Sequence, residues 1–272
     1  MTKTAEENIL YRKIGKLELT GTLYRPDDDG PAPFVIDVHG GAWGSGDRLN
    51  NQVIHRFFAH KGIGVFALDF RLSSQAEFPN PVADVNYGVR WFKKHASSLN
   101  VEASLIGGLG SSSGAQQMGL IAFQPDEVKY VVAEPSLEGV DARVDFFIAC
   151  WPILDPLARY QMARETGKER LVDAHNAYFS EEEDMTVGNP YMVVQRGGAA
   201  HMPPMVIIQG DADQNVDHFR ADMFAKCYRE LGGSVEVHKY VGQPHAFITN
   251  NPEDPDSEDA TEKLKDFIFS LI

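Results

Sequence analysis

Short apolar runs alternate with stretches of helical periodicity along most of this chain, and few folds accept that alternation. Residues 34–38, 63–70, 105–109, 146–150, 205–208 and 235–240 read as buried strands. Between them, 50–60 carries Val53, Ile54, Phe57 and Phe58 at helical spacing, and 81–95 does the same with Val85, Val89 and Phe92. Residues 115–123 and 218–231 are further helices, and the chain closes on an amphipathic one with Leu264, Phe267, Ile268 and Leu271. Strands that alternate with helices imply a mostly parallel sheet covered on both faces. At the start, 9–14 and 17–24 alternate polar and apolar residues around Gly15, the pattern of an antiparallel hairpin. The expected architecture is α/β, with about eight strands.

One stretch interrupts the rhythm. Residues 152–203 show no strand signal but contain helix-like pieces with Tyr160, Met162, Tyr178, Phe179, Met185, Tyr191 and Met192. So long an insertion between two strands is expected to form a helical cap before the strand at 205–208, rather than a structureless loop. With no linker or repeat elsewhere, 1–272 reads as a single domain carrying that cap at 152–203.

Hydrophobic residues make up 43% and charged residues 24%, which excludes wholesale disorder. The net charge of -14 opposes general binding to nucleic acid or to anionic lipid. Cys150 and Cys227 are far apart and belong to no CxxC pair, so free thiols are expected. Residues 1–7 lack the apolar stretch of a leader, and no apolar run approaches the roughly 20 residues of a membrane helix. A cytoplasmic location without membrane attachment is the expectation.

Three motifs sit where strands should end, the edge at which parallel sheets bind ligands. Gly110-Ser111-Ser112-Ser113-Gly114 follows a strand and opens a helix. A GxSxG pentapeptide in that context is a nucleophile elbow, which presents its central hydroxyl, here Ser112, at the cleft. His39-Gly40-Gly41-Ala42-Trp43 directly follows another strand. Its Gly40 and Gly41 N–H groups, with that of Ser113, are candidate donors to an oxyanion, because glycines let the backbone approach closely. A serine also needs a histidine base and an acid to fix its tautomer. His245 follows the strand at 235–240 and Asp213 the strand at 205–208, giving the chain order Ser112, Asp213, His245. Asp211 competes with Asp213 for the acid role and is otherwise suited to holding the turn, and Asp155 is a remote third candidate.

These residues resemble the α/β-hydrolase superfamily and, within it, carboxylesterases of the hormone-sensitive-lipase-like and acetyl-esterase type. Residues 39–43 are similar to that group's HGGxW segment, Asp69-Phe70-Arg71-Leu72 to its D-Y-R-L, 210–216 to its G-x-x-D-x-x-V loop and His245-Ala246-Phe247 to its H-x-F. The chain departs from the pattern at Ser111 and Ser113, where the group often has Asp and Ala, and at Ser73-Ser74-Gln75, where it usually has A-P-E. The resemblance implies an α/β-hydrolase fold and a carboxylesterase, often a homodimer.

The chemistry expected is hydrolysis of a small-molecule ester through an acyl-enzyme, with no cofactor and no metal; His55, His60, His95 and His175 form no ligand pattern. Amide or lactone hydrolysis on the same triad is the near alternative, and ligand binding without turnover the remoter one. Trp43 and Trp151, with the tyrosines and methionines of 152–203, are expected either to line an apolar substrate pocket or to pack the inserted helices.

Overall fold

A computed structural model describes residues 6–26 and 30–272. Residues 1–5, part of the stretch read as lacking a leader, lie outside the described residues. In chain order the elements are β1 (Glu6–Ile14), β2 (Leu17–Tyr24), β3 (Ala32–Val38), α1 (Gln52–His60), β4 (Gly64–Leu68), α2 (Asn80–His95), β5 (Ala103–Ser111) and α3 (Ser113–Phe123). Then come β6 (Phe147–Cys150), α4 (Pro156–Glu165), α5 (Glu169–Tyr178), α6 (Glu182–Val187) and α7 (Pro190–Gln195). The chain ends with β7 (Met205–Gly210), α8 (Phe219–Glu230), β8 (Val235–Tyr240), α9 (Phe247–Asn250) and α10 (Pro255–Phe269).

The eight strands form one sheet in the order β1-β2-β4-β3-β5-β6-β7-β8. β1 with β2 and β2 with β4 are antiparallel; every later pairing is parallel. The hairpin expected around Gly15 is therefore the antiparallel edge of an otherwise parallel sheet.

The central strands are buried on both faces, which is why they read as continuous apolar runs. In β3, Phe34, Ile36 and Val38 point into one core and Val35 into the other, as the period of two requires. The first core is closed by Val85, Val89 and Phe92 of α2, Met118 and Ile121 of α3, and Phe224 and Tyr228 of α8. The second is closed by Ile54 and Phe58 of α1 and by Leu264, Phe267 and Ile268 of α10. Between β6 and β7 the sheet is not extended; α4 to α7 occupy that interval. Among the described residues, no helix is long and apolar enough to cross a membrane.

Candidate active site

The carboxyl end of β5 runs straight into α3, and Ser112 is the joint. It is held at φ 52°, ψ -118°, a conformation costly for a residue with a side chain. The flanking glycines make the turn possible. A Cβ on Gly114 would stand 2.0 Å from the Val38 carbonyl oxygen, and one on Gly110 would stand 2.5 Å from Ala115 Cα. Both obstacles are backbone, so neither can swing aside. Gly114→Ala is accordingly expected to leave the protein insoluble or to lower its melting temperature by well over 10 °C, as a thermal melt of the purified variant would show.

Ser112 is 6% exposed. His245, in the loop after β8, places Nε2 3.0 Å from Ser112 Oγ and Nδ1 2.7 Å from Asp213 Oδ2. Asp213, in the loop after β7, is held from both sides. Its Oδ1 accepts the N–H groups of Asn215 at 2.7 Å and Val216 at 3.0 Å, and its Oδ2 also accepts from Gln209 Nε2 at 3.0 Å. Burial opposes its charge, but the hydrogen bond and charge of His245 and these donors outweigh burial, and the carboxyl sits below its usual range. Asp211 faces elsewhere, accepting the Gly242 N–H at 2.6 Å. The alternative acid Asp155 caps α4 and accepts from Asn189 Nδ2 at 2.9 Å.

Two sequence expectations need correction. The Gly40 N–H donates to Ser111 Oγ at 3.0 Å, so it is not free to meet an oxyanion. The cause is Ser111 itself, a hydroxyl that reaches back to the preceding loop. Asn51 Nδ2 donates to the same oxygen at 3.0 Å and to Asp37 Oδ1 at 3.0 Å, and His55 Nε2 lies 2.8 Å from Asp37 Oδ2. This buried chain of polar groups holds the His39-Gly40-Gly41 loop onto β5. Gly41 and Ala42 line the cleft beside Ser112, and Ala42 and Trp43 both adopt positive φ there. Ala42 was not foreseen, although it directly continues the glycine pair.

Trp43 is the second correction. It is 1% exposed and does not line the cleft. Its indole N–H donates to Gln116 Oε1 at 2.9 Å, and its ring stacks on Tyr178 of α5 at 5.0 Å and meets His175 edge-on at 4.9 Å. It fastens α5 to the loop instead of touching a ligand. Trp151 does line the cleft, 6.3 Å from the His245 ring.

The cleft has a volume of about 400 Å³. Its wall from the α4–α5 segment is Arg159, Arg170 and Leu171, not the tyrosines and methionines. Of those, Tyr178 and Met185 are packed inside the core, together with Phe179.

His175, buried beneath Trp43, titrates in this packing. Burial and the Arg159 charge together push it down from 6.5 to about 4, against the hydrogen bond between Nδ1 and the Leu171 carbonyl. A histidine whose folded pKa lies below its unfolded value costs stability once the unfolded chain binds the proton. Stability should therefore fall by a few kcal/mol as pH drops from about 6.5 to about 4. Denaturant midpoints across that range check it, and His175→Gln should flatten the slope.

The sequence matches the BD-FAE family over residues 22–227. The chain belongs to the BD-FAE family. Among curated relatives of this family member, esterase LipC of Mycobacterium tuberculosis (strain ATCC 25618 / H37Rv) is 24% identical, over 80% of this chain and 53% of LipC. The probable isoprenylcysteine alpha-carbonyl methylesterase ICMEL1 of Arabidopsis thaliana is 22% identical, over 92% of this chain and 52% of its own. The chain thus spans about half the length of these curated relatives. A solved structure of the Thermogutta terrifontis esterase Est2 with propionate superposes with a TM-score of 0.78 at 25% identity, covering 97% of this chain and 93% of Est2. The BD-FAE member described here has the α/β-hydrolase fold of a hormone-sensitive-lipase-like carboxylesterase.

Proposed function

We propose that the protein is a serine hydrolase that cleaves carboxylic esters. The observation that carries this reading is the continuous line of contacts from Asp213 through His245 to Ser112, at 2.7 Å and 3.0 Å, on a strained strand-to-helix turn. The names of LipC and Est2, both esterases, support it. His245 takes the proton from Ser112, whose Oγ attacks the ester carbonyl. The Gly41 and Ser113 N–H groups, with that of Ala42, meet the oxygen as it gains charge. His245 then protonates the departing alcohol, and water releases the acid from the acyl-enzyme by the same route in reverse. Trp151 borders the space in which the substrate sits.

Within the same reading, α4 to α7 act as a cap that completes the cleft, and the enzyme works in the cytoplasm as a homodimer, which sedimentation velocity reads directly. Free Cys150 and Cys227 suit a reducing compartment. The cleft is small and polar, so turnover of p-nitrophenyl esters should peak at acetate to butyrate and fall by at least about tenfold at decanoate. Initial rates across that series test the proposal, and absence of turnover on every ester would refute it.

A further inference from the structure

The cleft around Ser112 carries two arginines and, among its described lining residues, no aspartate or glutamate. That is unusual in a chain with net charge -14. Arg159 of α4 is 5% exposed. Its Nε donates to the Asn215 carbonyl at 2.9 Å, but its Nη1 is buried with no acceptor among the described residues. Among the described residues no carboxylate forms an ion pair with it. Asp213, whose charge attracts the guanidinium, has its oxygens engaged by His245, Gln209, Asn215 and Val216. Burial pulls the guanidinium down to about 10, against the attraction of Asp213 and with the repulsion of Arg170, so it remains charged at neutral pH.

A buried cation without a counter-ion is costly, and structures that keep one pair it with something. Its planar fork is suited to a carboxylate, which it can hold through two parallel N–H bonds. Arg170, exposed at the start of α5, stands on the same wall and adds positive field at the mouth. Trp43 steadies the arrangement from beneath, its ring 5.9 Å from the Arg159 guanidinium carbon.

We infer that the preferred substrates are esters that also carry a free carboxylate, held by Arg159 with help from Arg170 while Ser112 attacks the ester carbonyl. This rests on the esterase reading above. The reaction it specifies is ester plus water giving a second carboxylate, an alcohol and a proton. The charged group lies on the acyl side in a half-ester of a dicarboxylic acid, or on the alcohol side in an acylated hydroxy acid.

Matched pairs test it. Ethyl hydrogen glutarate against ethyl methyl glutarate, followed by ethanol release, places the charge on the acyl side. 3-Acetoxypropanoate against its methyl ester, followed by acetate release, places it on the alcohol side. The native enzyme should favour the charged member of at least one pair by about tenfold or more in kcat/KM. Arg159→Met should bring that ratio close to one, and Arg170→Met should lower it by a smaller factor. If Arg159→Met does not fold, Arg170→Met and the loss of preference in 0.5 M salt give the same reading. Hydrolysis of neutral esters with no preference for either charged member would overturn the inference and leave the esterase standing. A parallel measurement does not depend on turnover: millimolar ethyl hydrogen glutarate or 3-acetoxypropanoate should raise the melting temperature of Ser112→Ala, and the uncharged partners should not. Equal shifts, or none, would overturn the site even if no ester were cleaved.

Discussion

Replacing Ser112 with alanine should lower kcat on p-nitrophenyl acetate by at least about 10,000-fold while the protein melts at nearly its native temperature. The size follows from what is removed. Without Oγ the chemistry has no nucleophile, and only binding and the backbone donors remain to assist water. Stability should hold because, among the described residues, the Ser112 hydroxyl hydrogen-bonds only to His245. Its neighbours provide the contrast. Ser113 Oγ accepts the Trp43 N–H at 3.2 Å, and its part in the mechanism is played by its N–H, which alanine retains. Ser113→Ala should stay within about tenfold of native activity. Ser111→Ala removes the acceptor for both Gly40 N and Asn51 Nδ2, so its loss should register as about 1–3 kcal/mol of stability. A large kcat loss confined to Ser112 is the pattern expected of the central residue of the pentapeptide; a similar loss at Ser111 or Ser113 would contradict it.

The second large effect belongs to Asp213→Asn. The geometry dictates how the amide must turn. Two backbone N–H groups point at Oδ1, so the amide oxygen has to stay there. The NH2 group then replaces Oδ2 and faces His245 Nδ1 at about 2.7 Å. Two donors cannot share that contact, so the imidazole shifts its proton to Nε2 and presents an N–H to Ser112. In that tautomer it cannot accept the serine proton. We expect kcat to fall about 1,000- to 10,000-fold with little change in KM. Asp211→Asn keeps an amide oxygen to accept the Gly242 N–H, loses only its charge and should stay within a few-fold, which separates the two acids kinetically.

Much of this was legible in the chain. The strands buried on both faces had to be apolar throughout, and the motifs at 39–43, 110–114, 210–216 and 242–247 all fall at carboxyl ends of strands or just beyond. What the sequence hid were contacts between distant segments. Trp43 looks like a ligand-binding ring until Tyr178 and Gln116 are seen to enclose it. Gly40 looks like an oxyanion donor until the Ser111 hydroxyl, 71 positions later, takes its N–H. Arg159 lies in a helix of weak amphipathicity, where it reads like any surface cation; its burial depends on the loop after β7. Asn51 and His55 likewise gain meaning only because Asp37 is buried beside them.

In this mechanism Ser112 carries an acyl group, and that bond can be observed. Protein quenched in acid during turnover of p-nitrophenyl butyrate, then digested and fragmented by mass spectrometry, should show a butyryl increment on Ser112. The increment should be absent from unreacted protein and from Ser112→Ala. Turnover with the increment on Ser111 or Ser113, or a Ser112→Ala protein that releases p-nitrophenol at the native rate, would contradict the mechanism.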